Sequence, residues 1–146
     1  MGARRKGRIL AFQSLFAVEL CARESNSPHV QAHEPLDFSW INETGSSKYN
    51  QESLDFGRLI VGGAIENLAE IDRHIKAQLE HWDFSRLNKV DQAILRMSVF
   101  GLLYQKEIPA SVTIDEAVDI AKEYGTDESY RFINGVLDGI RKNLES

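Results

Sequence analysis

Apolar residues recur three and four apart along most of this chain. Ile9, Phe12, Phe16 and Leu20 set that period over residues 4–22 and predict a helix with one buried face. Residues 24–50 lose it. Pro28, Pro35 and Gly45, among serines and asparagines, interrupt any long helix, with room for one short helix. Phe38, Trp40 and Ile41 are the side chains expected to pin this connection down. From about residue 50 a second stripe begins: Phe56, Ile60, Ala64, Leu68, Ile71, Ile75 and Leu79 predict one continuous helix to about His81. Trp82, Phe84 and Leu87 fall in the connection after it.

Residues 90–105, VDQAILRMSVFGLLYQ, are apolar on nearly every side, the pattern of a central helix wrapped by others. Pro109 closes that segment. Thr113 and Glu116 then have the spacing of a capping box, which would start a helix at Thr113. Ala117, Ile120, Ala121 and Tyr124 form its buried stripe, and Gly125 stands where a left-handed C-terminal residue is wanted. A last helix is expected from near Asp127, carrying Ile133, Val136, Leu137, Ile140 and Leu144. No segment alternates with period two over a strand's length, and no fixed-period repeat appears. The predicted class is all-α.

Length and composition fit this picture. A chain of 146 residues with 42% hydrophobic and 27% charged residues suits one globular domain. It is long enough to bury a core without disulfides or metal. It is too short for a binding domain joined to a typical catalytic one. Cys21 is the one cysteine, so no intrachain disulfide forms, as suits a reducing compartment. The N-terminus imitates a leader, with basic residues ahead of apolar ones. Gln13, Ser14 and Glu19 interrupt the apolar stretch, however, and Leu20 is not the small residue that cleavage before Cys21 requires. Lys6 stands where myristoylation prefers Ser or Thr. No stretch approaches the ~20 apolar residues of a membrane span. The expected location is the cytoplasm.

Charge divides unevenly. The chain carries −5 overall, but residues 1–23 hold five basic residues and one acidic, so the rest carries −9. Arg4, Arg5, Lys6 and Arg8 crowd the start of the first helix, where the helix dipole disfavours cations. Holding four of them there suggests a polyanion; a merely solvated tail is the plain alternative. Gln13 and Phe16 follow on the same helix. Cations that track phosphates, an amide that reads a base edge and a ring that stacks suit single-stranded RNA. Phe16 also falls in register with the core stripe.

Catalytic and metal chemistry find little support. Glu70, His74 and His81 lie roughly on one helix face, but no HExxH or CxxC pattern accompanies them, and a solvated face is the better reading. His29 and His33 fall in the breaker-rich connection. Gly62-Gly63 lacks the Lys-Ser/Thr of a phosphate loop and suits close helix contact instead. Cys21 has no activating neighbour in sequence, which suits a small buried apolar role. No cofactor or metal is expected.

Four features together resemble the NusB family of bacterial transcription antitermination factors. They are the basic lead, RILAFQSLFAVEL at 8–20, LNKVDQAILRMSVFGLLY at 87–104 and IPASVTIDEAVDIAKEYGTDESYRFINGVLDGI at 108–140. The resemblance spans nearly the whole chain in order and is poorest over residues 24–50. It implies one helical domain of two packed three-helix subdomains. It also implies binding to boxA, a short single-stranded element of leader transcripts, notably those of ribosomal RNA operons. The implied protein partner is NusE, a small-subunit ribosomal protein, and the pair joins an antitermination complex on RNA polymerase. By position, the family's RNA face falls on Arg4, Arg5, Lys6, Arg8, Gln13, Phe16, Glu128, Arg131 and Phe132. Its ribosomal-protein face includes Asp91.

Three positions depart from the family pattern. Phe16 replaces a frequent Tyr and keeps stacking without the hydroxyl; Gly101 replaces a frequent acid on the partner surface; Glu128 cannot neutralise phosphate, though it can accept from a base amine. Two other readings stay open on sequence alone. One is a protein-interaction module or homodimer whose basic residues serve no RNA. The other is a detached relative of the NusB-like domain of some ribosomal RNA methyltransferases, which lacks the glycine-rich cofactor unit an enzyme would need.

Overall fold

Asparagine side chains begin two of the helices. Asn50 Oδ1 accepts from the Ser53 backbone N–H and from its hydroxyl, both at 2.9 Å, and Asn88 Oδ1 accepts from Val90 N–H at 2.8 Å. Each satisfies a donor that the first helical turn leaves unpaired. The computed structural model describes residues 2–25, 49–80 and 83–145, with residues 20–25 described as backbone only. Its helices are α1 (Ala3–Ser25), α2 (Gln51–Glu66), α3 (Leu68–Ala77), α4 (Lys89–Tyr104), α5 (Ala110–Tyr124) and α6 (Ser129–Glu145). A 3-10 turn, Phe84–Arg86, leads into α4. All regular structure among the described residues is helical, as the periodicity predicts. The expectations for Phe38, Trp40, Ile41, His29, His33, His81, Trp82 and the Cys21 side chain lie outside the described residues.

Helix α4 is the axis. It touches every other helix, and from Asp91 to Leu102 each of its residues is buried. Helices α1, α2 and α3 each pack on it, α1 also closely on α2, while α5 and α6 pack with it and with each other. Ile60, Ile71, Ile94, Leu95, Ile120, Ile133 and Leu137 are almost wholly enclosed in one continuous core. The Gly62-Gly63 pair serves close approach, since a Cβ on Gly63 would run into the Phe100 ring of α4.

The polar residues of α4 are fastened by charge and hydrogen bonds. Arg96, 8% exposed, grips Asp72 of α3 with two hydrogen bonds of 2.9 Å and reaches Glu19 of α1 at 3.2 Å. Its guanidinium also lies over the Phe84 ring, 5.0 Å from the centroid. A buried cation must be paired on several sides to offset its lost hydration, and this one is. Gln92, also buried, donates through Nε2 to the carbonyls of Phe84 and Leu87, at 2.9 and 3.1 Å. Those bonds fix the connection into α4.

Three local expectations are corrected. The stripe from Phe56 to Leu79 is not one helix, because Asn67 stands between α2 and α3 with φ −115° and ψ 23°. Its side-chain amide donates to Gly63 O at 2.8 Å, alongside its own backbone N–H at 3.1 Å. Thr113 and Glu116 form no capping box. Helix α5 starts at Ala110 behind Pro109, and Thr113 is buried a turn inside, with its methyl against Gly101. Glu116 turns outward to Arg5. Gly125 is extended, with φ −94° and ψ −168°, rather than left-handed. Glycine is needed there for space, since a Cβ would stand 2.6 Å from the Ser129 side chain.

Candidate nucleic-acid interface

The first two turns of α1 carry the basic cluster, and they are built into the fold rather than hanging from it. Arg5 donates through Nε and Nη2 to Glu116 of α5 at 2.7 and 3.1 Å, and through Nη2 to Asp119 at 2.7 Å. These hydrogen bonds, Glu116 first, hold the guanidinium's proton more tightly than usual. Arg8 is only 5% exposed, and burial pulls its pKa down. Arg4 and Arg8 both lie over the Phe56 ring of α2, at 5.4 and 5.1 Å from its centroid, a cation–π arrangement. The inference from helix-dipole repulsion therefore needs correction. Part of the counter-charge that holds these cations comes from α5 of the same chain.

Those contacts divide the cluster. Arg4 is exposed, and neither it nor Lys6 makes an ion pair among the described residues. Arg4, Arg5, Arg8, Val112 and Glu116 border a hollow of about 480 Å³. Further along α1, Phe12 meets Tyr124 with ring centroids 5.1 Å apart. Arg5 to Glu116 and Phe12 to Tyr124 are thus side-chain bridges from α1 to α5. Gln13 and Phe16, both half-buried, follow on α1.

The connection between α5 and α6 edges a second region. A groove of about 290 Å³ is lined by Arg86, Asn88, Asp91, Glu128, Ser129 and Phe132, among others. Thr126 N–H donates to Ser129 Oγ at 2.9 Å and shapes its rim. Asp91, 8% exposed, has a buried Oδ1 with no hydrogen-bond partner among the described residues. Burial pushes its pKa up, and a hydrogen bond from Ser129 draws it partway back. Glu128 is exposed, while Phe132 packs partly against the core. Phe132 also walls a second hollow, of about 380 Å³, between the end of α3 and α6, where exposed Arg131 lies.

The structure thus gathers Glu128, Phe132 and Asp91 at one groove and sets Arg131 just beyond it. It keeps Arg4, Arg5, Lys6 and Arg8 at the far end of α1. Sequence reasoning missed Phe56, which looks like one more core residue of its stripe. It also missed Ser129 and Thr126, for which an ST-rich turn ahead of a helix is the only available signal. Glu70 and His74 lie 3.2 Å apart, and Arg73 pairs with the same carboxylate. No group of three or more His, Cys, Asp or Glu fit to hold a metal occurs among the described residues.

Fold and surface define an all-helical module with grooves between its helices and a cationic start to α1. Among the described residues, no helix is long and apolar enough to cross a membrane. A model of the NusB family matches residues 5–142, and the chain belongs to that family of transcription antitermination proteins. It is 47% identical to the transcription antitermination protein NusB of Treponema pallidum (strain Nichols), over 96% of this chain and 93% of that one. It is 38% identical to the NusB of Geobacter sp. (strain M21), over 99% and 97% of the two chains. Among solved structures, T. maritima NusB superposes with a TM-score of 0.79 at 37% identity, covering 95% of this chain and 90% of that one. A chain from a crystal structure of antitermination factors NusB and NusE in complex with dsRNA shares the fold, with a TM-score of 0.77 at 24% identity and 97% of each chain covered.

Proposed function

We propose that this protein is a non-catalytic adaptor that binds boxA-type single-stranded leader RNA together with the ribosomal protein NusE. The pair would act in the cytoplasm on transcribing RNA polymerase, sustaining transcription of ribosomal RNA operons. The observation that carries the reading is the groove of about 290 Å³, where Glu128 and Phe132 of the expected RNA face stand beside Asp91 of the expected protein face. Two ligands that meet at one groove each present the other with added surface, so they bind cooperatively. Arg4, Lys6 and Arg131 supply phosphate contacts, Gln13 and Glu128 address base edges, and Phe16 and Phe132 offer rings. Arg5 and Arg8 act mainly by holding the end of α1 in place.

RNA binding tests this reading through boxA-like and scrambled oligonucleotides, with and without NusE, across a salt series. Three phosphate contacts to a single strand give a log–log salt slope of about −2. Saturating NusE should tighten boxA binding more than scrambled binding. Equal affinity for the two RNAs, or an affinity that NusE leaves unchanged, would overturn the proposal.

A further inference from the structure

Two glycines interrupt α6, and among the described residues only one has a close neighbour. A Cβ on Gly139 would collide with the Gln78 side chain, which seats the end of α3 on α6. A Cβ on Gly135 would meet no atom of the described residues within 4 Å. Glycine inside a helix is a destabilising choice and is otherwise used where something must come close. Gly135 lies on the wall of the hollow of about 380 Å³ with Leu79, Glu80, Arg131 and Phe132. Phe132 is common to this hollow and to the Asp91 groove.

Resting on the RNA reading above, we propose that the Gly135 hollow is a nucleotide subsite. It takes one base of the strand whose neighbour stacks on Phe132. The chemistry favours a base over a phosphate inside it: Glu80 repels an anion and accepts from an exocyclic amine, while Leu79 and the Phe132 ring offer apolar faces. Arg131, exposed at the rim, meets the phosphate between the two nucleotides. The bare Gly135 backbone lets the base plane approach the helix, which any side chain at that position obstructs.

The test measures binding of a boxA-like single strand by wild type, Gly135→Ala and Gly135→Leu. A single abasic nucleotide is walked along the strand. Stacking of one base is worth a factor of roughly 5–150 in affinity, so Gly135→Leu should weaken binding about tenfold and Gly135→Ala far less. Both variants should melt at or above the wild-type temperature, since each improves helix propensity. Wild type should show two adjacent abasic-sensitive positions, and Gly135→Leu should lose sensitivity at one of them. If Gly135→Leu folds poorly, the wild-type walk decides, and a single sensitive position overturns the subsite. Unchanged RNA affinity in folded Gly135→Leu also overturns it, as does a loss confined to NusE binding, which would assign the hollow to protein. Failure of wild type to bind any single-stranded RNA would instead overturn the underlying RNA reading.

Discussion

Burial makes ionisation of Asp91 unfavourable, and replacing it with Asn should stabilise the free protein. Two effects compete at this carboxylate. Its place in the first turn of α4 lets it complement the helix dipole, worth about 0.3–1 kcal/mol. Burial with Oδ1 unpartnered opposes this, and an unsatisfied buried polar group costs about 1–3 kcal/mol, more when charged. Desolvation therefore wins, in agreement with the raised pKa. A carboxyl whose folded pKa lies above its unfolded one contributes stability that is fully present below the unfolded pKa. That contribution is lost as pH rises through the folded pKa. Asp91→Asn removes the loss, so the variant should gain about 1 kcal/mol at neutral pH, a rise of roughly 2–4 °C in Tm. The gain should vanish below the ordinary carboxylate range. Thermal melts from pH 3 to pH 8 check this, alongside NusE binding, which should weaken in the same variant. A wild type more stable than Asp91→Asn at pH 7, or a difference independent of pH, would refute the reasoning.

Arg5→Ala should lower stability by about 1–2 kcal/mol, since charge-assisted bonds to Glu116 and Asp119 are lost but solvent at the partly exposed pair screens them. A double-mutant cycle with Glu116→Gln in chemical denaturation isolates the pair, and zero coupling would deny it a structural role. Arg8→Met should stay within about 1 kcal/mol of wild type, because an apolar chain replaces a buried ion, whereas Arg8→Ala opens a gap beside Phe56. If Arg8→Met loses as much RNA affinity as Arg4→Ala, Arg8 touches phosphate after all. Phe132→Ala should cost less than the ~3–5 kcal/mol of a fully buried ring, yet weaken RNA binding by the ~1–3 kcal/mol of one stacked base. Normal affinity in the folded fraction would place that ring in the core alone.

Periodicity made most of the fold legible, because each helix buries one stripe and α4, apolar on nearly every side, lies inside the others. What it could not see were events that preserve the stripe. Asn67 leaves helical φ and ψ for one residue while Ala64 and Ile71 on either side stay buried, so the sequence pattern runs on across the break. Thr113 and Glu116 have the spacing of a cap, but Pro109 starts the helix a turn earlier, and each side chain then serves another contact. In the candidate interface, residue types were readable and their partners were not. Arg5 meets Glu116 across 111 positions of sequence, a pairing that arises only because α1 and α5 both pack on α4.

That pairing changes what the charge pattern means. A positive helix start on an acidic body first suggested that an external polyanion balances all four cations. With Arg5 paired and Arg8 enclosed, the outward charge of the cluster reduces to Arg4 and Lys6. So few cations give weak, salt-sensitive attraction to any RNA, while the −9 carried by the remaining chain repels phosphates elsewhere. Discrimination must then come from short-range contacts with bases, which are insensitive to bulk charge. The rings and hollows around Phe132 are where such contacts are available. On this argument, changes at Arg4 or Lys6 should scale affinity for all RNAs together, and changes around Phe132 should alter which RNA is preferred.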